Sequence, residues 1–202
     1  MLPLLRVAGH DAVAVNLPGA DKNADLPEYT NMVLDAIDEP RDIVLVAHSL
    51  GGFTAPLVAG AAPLQALVLV NAMIPVPGET PGDWWSDTGA GETRVAAAQL
   101  AGYTTEFNQS TYFLHDVPGE VLAEGSGERP EADAVFGSVC AFDFWPSIPI
   151  RVVAGRDDRF FPWEFQQSVA RNRLDIELDL LPGGHLIALS EPEALAAYLL
   201  NS

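Results

Sequence analysis

Three polar residues of the types that act together in nucleophilic catalysis each follow an apolar stretch of this chain. A serine hydroxyl becomes a nucleophile when a nearby base takes its proton, and an imidazole serves as that base when a carboxylate fixes its tautomer. The three occur in the order serine, aspartate, histidine: Ser49 after residues 43–47, Asp158 after residues 150–154 and His185 after residues 176–181. This pattern predicts attack by Ser49, with His185 as its base and Asp158 as the partner of the base.

Small residues surround the serine in residues 47–52, AHSLGG. A sharp turn from a strand into a helix requires small residues two positions before and two positions after a nucleophilic serine, because the two backbones nearly touch there. Ala47 and Gly51 satisfy that requirement. In such a turn the backbone N–H of Leu50, at the positive end of the helix, would help to bind an oxyanion. A serine that only caps an ordinary helix is the alternative for this stretch taken alone.

The acid lies in residues 155–159, GRDDR, which contain two adjacent aspartates. We favour Asp158 because a residue farther from the end of the strand can bend back towards the histidine. Asp157 would then pair with Arg156 or Arg159. The histidine itself follows two glycines, which would place it on a flexible turn over the end of the sheet.

Apolar stretches of strand length alternate with helical stretches on both sides of a long irregular segment. The pattern predicts a helix ending at residue 8, strands at 11–17, 43–47, 66–70, 150–154 and 176–181, and further helices at 25–38, 53–59, 163–170 and 192–200. This alternation indicates an α/β protein with a mostly parallel sheet and helices on both faces. Reactive groups in such sheets collect at the carboxyl ends of the strands, where the three candidates fall.

A segment at 73–147 interrupts the alternation and is too long for a connecting loop. Prolines and glycines crowd its beginning, and short helical stretches are predicted near 92–100, 119–123 and 131–140. We expect this segment to form a small helical cap on the sheet, within a single domain that spans residues 1–202.

The predicted cap is rich in aromatic residues. Most of them would form its own core, and the remainder would face the serine. That predicts an apolar pocket suited to a small, neutral ester or a related carbonyl compound. We expect His115 of the cap, together with Phe160 and Trp163 beyond the acid, to line this pocket. A hydrogen-bonded packing role within the cap is the alternative for His115.

The formal net charge of −18, with Lys22 as the only lysine, predicts repulsion from nucleic acids and anionic membranes. The single Cys140 excludes an internal disulfide and favours a reducing, cytoplasmic location. The apolar runs are too short for a membrane span, and the opening residues are too few for the core of a signal peptide. Histidine and cysteine do not cluster at ligand spacing, so we expect no metal and no organic cofactor. The expected partner is a small-molecule substrate, and a homodimer is left open.

With these motifs the chain resembles the α/β-hydrolase superfamily over nearly all of its length. Residues 47–52 resemble the nucleophile elbow, residues 155–158 the loop that carries the acid, and residues 183–185 the histidine loop. In that family the acid commonly falls three residues after such a glycine, which again indicates Asp158.

Within the superfamily, residues 9–19 and 70–75 are most similar to the small esterases related to plant methylesterases and hydroxynitrile lyases. Lyases of that group are expected to use a lysine of the cap, and the only lysine here is Lys22, so cyanohydrin chemistry is not implied. Family members ordinarily begin with strands and a His-Gly loop before the helix that ends here at Ala8, and that loop supplies a second oxyanion N–H. The resemblance therefore implies a fold shortened at its N-terminus, with half of the oxyanion hole unassigned.

Together, the residues and the resemblance predict a serine hydrolase of esterase type that works through an acyl-enzyme. Two alternatives share the same pattern. A non-catalytic ligand-binding or scaffold protein could retain the fold and the pocket, and a carbon–carbon bond hydrolase could use the same three residues.

Overall fold

A four-stranded parallel sheet forms the centre of the protein. The computed structural model describes residues 1–38, 42–123 and 133–201. The strands follow one another across the sheet in chain order: β1 (Ile43–His48), β2 (Leu64–Val70), β3 (Ile150–Gly155) and β4 (Asp179–Leu181). Each neighbouring pair is parallel, so the four carboxyl ends meet at one edge of the sheet.

Helices cover both faces of this sheet. In chain order they are α1 (Leu2–Val7), α2 (Leu26–Asp35), α3 (Gly51–Ala61), α4 (Pro81–Thr88), α5 (Ala90–Ala101), α6 (Gln109–Tyr112), α7 (Gly119–Ala123), α8 (Trp163–Leu174), α9 (Ile187–Ser190) and α10 (Pro192–Leu200). A 3₁₀ helix, Asp133–Gly137, precedes β3. Within the described ranges, every helix is too short or too polar to cross a membrane. The predicted α/β architecture is confirmed.

Alternate side chains of the central strands enter two separate cores, one on each face of the sheet. Leu67 and Leu69 of β2 lie in the larger core, together with residues of α2, α3 and α8. Val68 and Val70 point to the opposite face and pack with Ile187 of α9 and with residues of α10. Because β2 is covered on both faces, it is apolar at nearly every position.

The strand predicted at 11–17 is wrong, because these residues form no strand in the structure. Val13 is 58% exposed, and β1 forms the edge of the described sheet. Alanines and valines alternate in this segment and imitate a strand, but the small alanine side chains offer little apolar area to bury. A strand also needs a neighbour for its backbone hydrogen bonds, and the local pattern cannot show whether one is present.

Most other predicted elements are confirmed, with small shifts at their ends. The last strand is shorter than predicted, because Ile176 and Leu178 pack against the larger core before the hydrogen-bonded ladder begins. The helix predicted at 131–140 falls partly outside the described residues; of the described part, Asp133–Gly137 form the 3₁₀ helix and residues 138–140 are not helical. The sequence pattern does not predict α4, α6 or α9, which are too short to show a repeating apolar face.

The segment predicted as a cap is attached to the α/β core at its base. Trp84 of α4 is fully buried, and its ring meets those of Phe161 and Phe165 edge to face, with centroids 5.2 Å and 5.8 Å apart. Arg173 of α8 donates from Nη2 to Oε1 of Glu79 at 2.8 Å, and both side chains of this ion pair are largely buried. These contacts join the cap to the larger core, while the division of the chain into one domain with a cap stays a prediction.

Candidate active site

A strained serine follows the carboxyl end of β1. Ser49 has a φ of +53°, a conformation that costs a residue with a Cβ atom about 1 kcal/mol or more. Hydrogen bonds to the neighbouring segment hold the turn: the Ser49 N–H donates to Val70 O at 3.2 Å, and the Ser49 carbonyl oxygen accepts from the Met73 N–H at 3.0 Å. The backbone after β2 therefore fixes the position of Ser49.

Gly52, and not Gly51, is the small residue that this turn requires. A Cβ atom at position 52 would overlap the carbonyl oxygen of Met73. A Cβ atom at position 51 would meet the Cβ atom of Ala47 at 3.9 Å, which is an ordinary contact. The prediction that the close approach of the backbones requires Gly51 is therefore corrected. The backbone of α3 comes nearest to the backbone of Met73 one residue later, at Gly52.

Leu50 stands between the serine and the first residue of α3. The helix is eleven residues long, and its dipole places partial positive charge at this end. The Leu50 N–H therefore lies at the positive end of α3, as the predicted role of oxyanion donor requires.

The structure brings together Ser49, His185 and Asp158, the three residues that the sequence analysis predicts to act together in catalysis. The Oγ atom of Ser49 lies 3.0 Å from Nε2 of His185. Nδ1 of the same imidazole lies 2.9 Å from Oδ2 of Asp158. His185 is 1% exposed and Asp158 is 5% exposed, so water is largely excluded from the second hydrogen bond. With the proton on Nδ1, this geometry leaves Nε2 free to accept the serine proton.

Hydrogen-bond donors face both side-chain oxygens of Asp158. Oδ1 accepts hydrogen bonds from the backbone N–H groups of Phe160 at 2.8 Å and Phe161 at 2.9 Å. Oδ2 accepts one from Nε2 of Gln166 at 3.3 Å, in addition to the one from His185. Asp157 is exposed, and its Oδ2 accepts instead from the Gly183 N–H at 3.4 Å. Of the two adjacent aspartates, the structure therefore places Asp158 against the imidazole.

Asn71 is a buried residue of the site that the sequence analysis did not single out. Its Nδ2 donates to the carbonyl oxygens of Gly184 at 3.1 Å and His185 at 2.9 Å, while its Oδ1 accepts from the Gly155 N–H at 2.7 Å. Asn71 has a φ of +46° and is fully buried. It follows β2, the strand between β1 and β3, so its amide reaches the loops after β3 and β4. The sequence signal for it is a polar residue directly after the most apolar strand.

His48 also binds the backbone of the histidine loop. Its Nε2 lies 2.7 Å from the carbonyl oxygen of His185, and the two imidazole rings are tilted with centroids 4.9 Å apart. The Oγ atom of Ser49 lies against His185 and not against His48, so His48 supports the histidine loop and His185 is the candidate base.

Phenylalanine rings enclose the imidazole of His185. Phe113 of the cap is stacked on it, with centroids 4.9 Å apart and planes inclined by 18°. Phe160 and Phe161 meet it edge to face, with centroids at 5.0 Å and 5.4 Å. The enclosure shields the imidazole and lowers the local dielectric, which strengthens its hydrogen bonds.

Phe160 also lines an open cavity of about 290 Å³. Its lining is aromatic except for a glycine and an arginine of α5: Trp85, Gly91, Arg94, Phe107 and Phe160. Because Phe160 also contacts His185, the cavity begins one ring away from the imidazole. Phe160, one of the predicted pocket residues, lines this cavity, and its contact with a substrate stays a prediction.

His115 and Trp163 do not line this cavity. Nε2 of His115 lies 3.9 Å from Oδ1 of Asp116, beside the backbone of Gly184. Burial, followed by the positive charge of Arg159, lowers the pKa of His115. Trp163 is the first residue of α8 and is half-buried. A place for either residue in the substrate pocket stays a prediction, with His115 against the histidine loop and Trp163 at the start of α8.

Cys140 is buried and is bonded away from the site. Its Sγ donates to the carbonyl oxygen of Phe53 at 3.2 Å. Burial raises the pKa of the thiol to about 12. A thiol in this state is protonated near neutral pH and is a poor nucleophile.

Comparison with known proteins places the chain in a family. The model of the alpha/beta hydrolase family matches residues 1–198, and this protein therefore belongs to the alpha/beta hydrolase family. The superfamily predicted from the three motifs is confirmed.

One curated protein shows a clear but partial sequence similarity. The putative carbamate hydrolase RutD of Stutzerimonas stutzeri (strain A1501) is 27% identical over 183 residues. The match covers 77% of this chain and 64% of that protein, so the chain spans less than two thirds of the length of this relative.

Solved structures of hydrolases share the fold. A pyrethroid hydrolase from Sphingobium faniae JZ-2 superposes with a TM-score of 0.74 at 21% identity, covering 99% of this chain and 88% of that chain. A methylesterase from Arabidopsis, MES16, gives a TM-score of 0.73 at 22% identity, covering 99% of this chain and 89% of its own. The predicted resemblance to methylesterases is confirmed at the level of the fold.

Proposed function

We propose that this protein is a serine hydrolase that cleaves a small, neutral, largely apolar carboxylic ester through an acyl-enzyme. The observation that supports this most is the hydrogen-bond chain from Ser49 through His185 to Asp158. The three residues follow three different strands. Their alignment therefore depends on the whole sheet and not on a local turn.

In the proposed acylation step, the Oγ atom of Ser49 attacks the ester carbonyl carbon while its proton passes to Nε2 of His185. The Asp158 carboxylate stabilises the imidazolium that forms. The Leu50 N–H donates to the developing oxyanion. The tetrahedral intermediate then collapses, and the alkoxide leaves with the proton from His185, so the acyl group remains on Ser49.

Deacylation reverses the roles with water in place of the alcohol. His185 takes a proton from water, and the hydroxide attacks the acyl carbonyl carbon. Collapse of the second intermediate returns the proton to Oγ of Ser49 and releases the acid. Each cycle consumes one ester and one water and needs no redox partner.

The aromatic cavity beside Phe160 supports an apolar group on the substrate. Its volume of about 290 Å³ suits a small group such as a short acyl chain or a phenyl ring. The net charge of −18 favours a neutral substrate over an anionic one. The same proposal includes a cytoplasmic location, which the single cysteine favours.

A fluorophosphonate probe tests the nucleophile directly. We expect the wild type to be labelled at Ser49 and Ser49→Ala to remain unlabelled. Turnover of p-nitrophenyl acetate and butyrate should fall at least about 10⁴-fold in Ser49→Ala. Ser86→Ala, which alters an exposed serine of α4, is the matched control and should retain both labelling and turnover.

The substrate panel should add methyl esters, an aryl carbamate and a carbon–carbon bond substrate such as a vinylogous β-diketone. The carbamate is included because the curated relative is named a putative carbamate hydrolase. Absence of labelling of the folded wild type near neutral pH would contradict the proposal. Ligand binding that survives Ser49→Ala, with no substrate turned over, would identify a binding protein instead.

A further inference from the structure

The cap contacts both the imidazole of His185 and the backbone that carries it. Phe113, which follows α6, is stacked on the imidazole ring. Three residues later, Oδ2 of Asp116 accepts a hydrogen bond from the backbone N–H of Gly184 at 2.5 Å. One short segment of the cap thus makes two contacts with the histidine loop, one with the imidazole ring and one with the backbone before it.

Gly184 is held at both of its polar atoms by different parts of the molecule. Its carbonyl oxygen accepts from Asn71, which follows a strand of the sheet, and its N–H donates to Asp116 of the cap. His185 is the next residue, so the rotation of this peptide sets the direction of the imidazole. The orientation of the base therefore depends on the sheet and on the cap together.

The cap approaches this backbone closely. A Cβ atom at position 184 would lie 2.8 Å from Oδ1 of Asp116 and from Nε2 of His115. These two atoms are 3.9 Å apart, and neither has a hydrogen-bond partner among the described residues. Burial lowers the pKa of His115, so its ring is neutral near pH 7. The Gly184 N–H faces a carboxylate side chain, and hydrogen bonds from an N–H to a carboxylate are about twice as strong as neutral ones.

We propose that Asp116 is a positioning residue for the base, whose carboxylate fixes the backbone of Gly184 and thereby aligns the imidazole of His185 with Ser49. This inference rests on the proposed function of His185. It assigns to the cap a part in the chemical step, in addition to its part in the pocket.

Loss of the Asp116 carboxylate should reduce the rate of acylation more than the binding of the ester. A shift of the imidazole by a fraction of an ångström weakens proton transfer, whereas the aromatic cavity beside Phe160 does not include Asp116. We expect Asp116→Ala to lower kcat and the rate of fluorophosphonate labelling about tenfold, with KM changed less than about twofold. Asp116→Asn retains an oxygen acceptor for the Gly184 N–H and should stay within about threefold of the wild type.

Asp87→Ala, at an exposed aspartate of α4, is the matched control and should label at the wild-type rate. Should Asp116→Ala fail to fold, Asp116→Ser provides the second variant, because its shorter side chain does not reach the Gly184 N–H. The second readout is the low-field proton NMR resonance of His185 Nδ1–H, which is shared with Asp158 and should shift or broaden in the alanine variant.

The inference would be overturned if Asp116→Ala were labelled at the wild-type rate and its His185 Nδ1–H resonance were unchanged. Failure of the proposed function is distinguishable, because the wild type itself would then remain unlabelled. In that case the NMR resonance alone decides whether Asp116 positions His185: a shift supports the inference and an unchanged resonance overturns it.

Discussion

At the scale of single residues, the buried amide of Asn71 joins the loops after β3 and β4. Its oxygen and nitrogen bind the Gly155 N–H and the carbonyl oxygens of Gly184 and His185. An asparagine suits this position for two reasons. It offers a donor and an acceptor on one short side chain, and it tolerates the positive φ of +46° better than most residues.

Asn71→Ala should therefore weaken both the site and the fold. It leaves the Gly155 N–H and the Gly184 carbonyl oxygen without this partner, while the His185 carbonyl oxygen keeps its contact with His48. Each buried group that is not compensated costs about 1–3 kcal/mol. We expect the free energy of unfolding to fall by about 3 kcal/mol, measured by urea denaturation. Labelling of Ser49 should slow by at least about tenfold, because His185 loses its backbone support.

The control for this variant is Asn172→Ala, at an exposed position of α8. It should change neither the unfolding midpoint nor the labelling rate. Equal behaviour of the two variants would refute the role given to Asn71.

At the scale of elements, the approach of α3 to the segment after β2 shapes the turn at Ser49. The turn is held by backbone hydrogen bonds from that segment, and Gly52 is where the two backbones come closest. The strain at Ser49 therefore depends on the packing of a helix against a neighbouring loop.

Two adjacent glycine substitutions separate this packing from the general effect of alanine in a helix. Gly52→Ala would drive a Cβ atom into the Met73 carbonyl oxygen, whereas Gly51→Ala meets only an ordinary contact with Ala47. We expect Gly52→Ala to slow fluorophosphonate labelling at least about tenfold and to lower the unfolding midpoint. Gly51→Ala should keep the wild-type labelling rate, since alanine is also the better helix former. Equal loss in both variants would show that the close approach is not the cause.

At the scale of the whole molecule, the chain carries a formal net charge of −18. The field of this charge repels anions over a distance set by the salt concentration. Substrate charge should therefore affect the rate of encounter even where the cavity itself is apolar.

A pair of esters of equal shape, one neutral and one carrying a carboxylate, tests this effect. We expect kcat/KM of the anionic ester to rise about threefold when NaCl is increased from about 20 mM to about 300 mM, because salt screens the repulsion. The value for the neutral ester should change little. An anionic ester that is favoured at low salt would contradict this expectation and the proposed preference for neutral substrates.

Much of the fold and the identity of the candidate residues follow from local sequence. Apolar stretches of strand length alternate with helical patterns, and this alternation determines the α/β class because buried parallel strands must be apolar on both faces. The serine, aspartate and histidine stand out because each follows such a stretch. Small residues around Ser49 also indicate a tight turn, although the pattern does not show that Gly52 is the one in closest contact.

Only the tertiary structure decided features that depend on residues far apart in the chain. The sequence favours Asp158 over Asp157, but the contact of Asp158 with the imidazole is seen only in the structure. The loss of the strand at 11–17 depends on a missing neighbour in the described sheet. Asn71 and Asp116 reach the histidine loop from positions 113 and 68 residues away from Gly184. A local pattern contains no information about such contacts, because they form only when separate elements pack together.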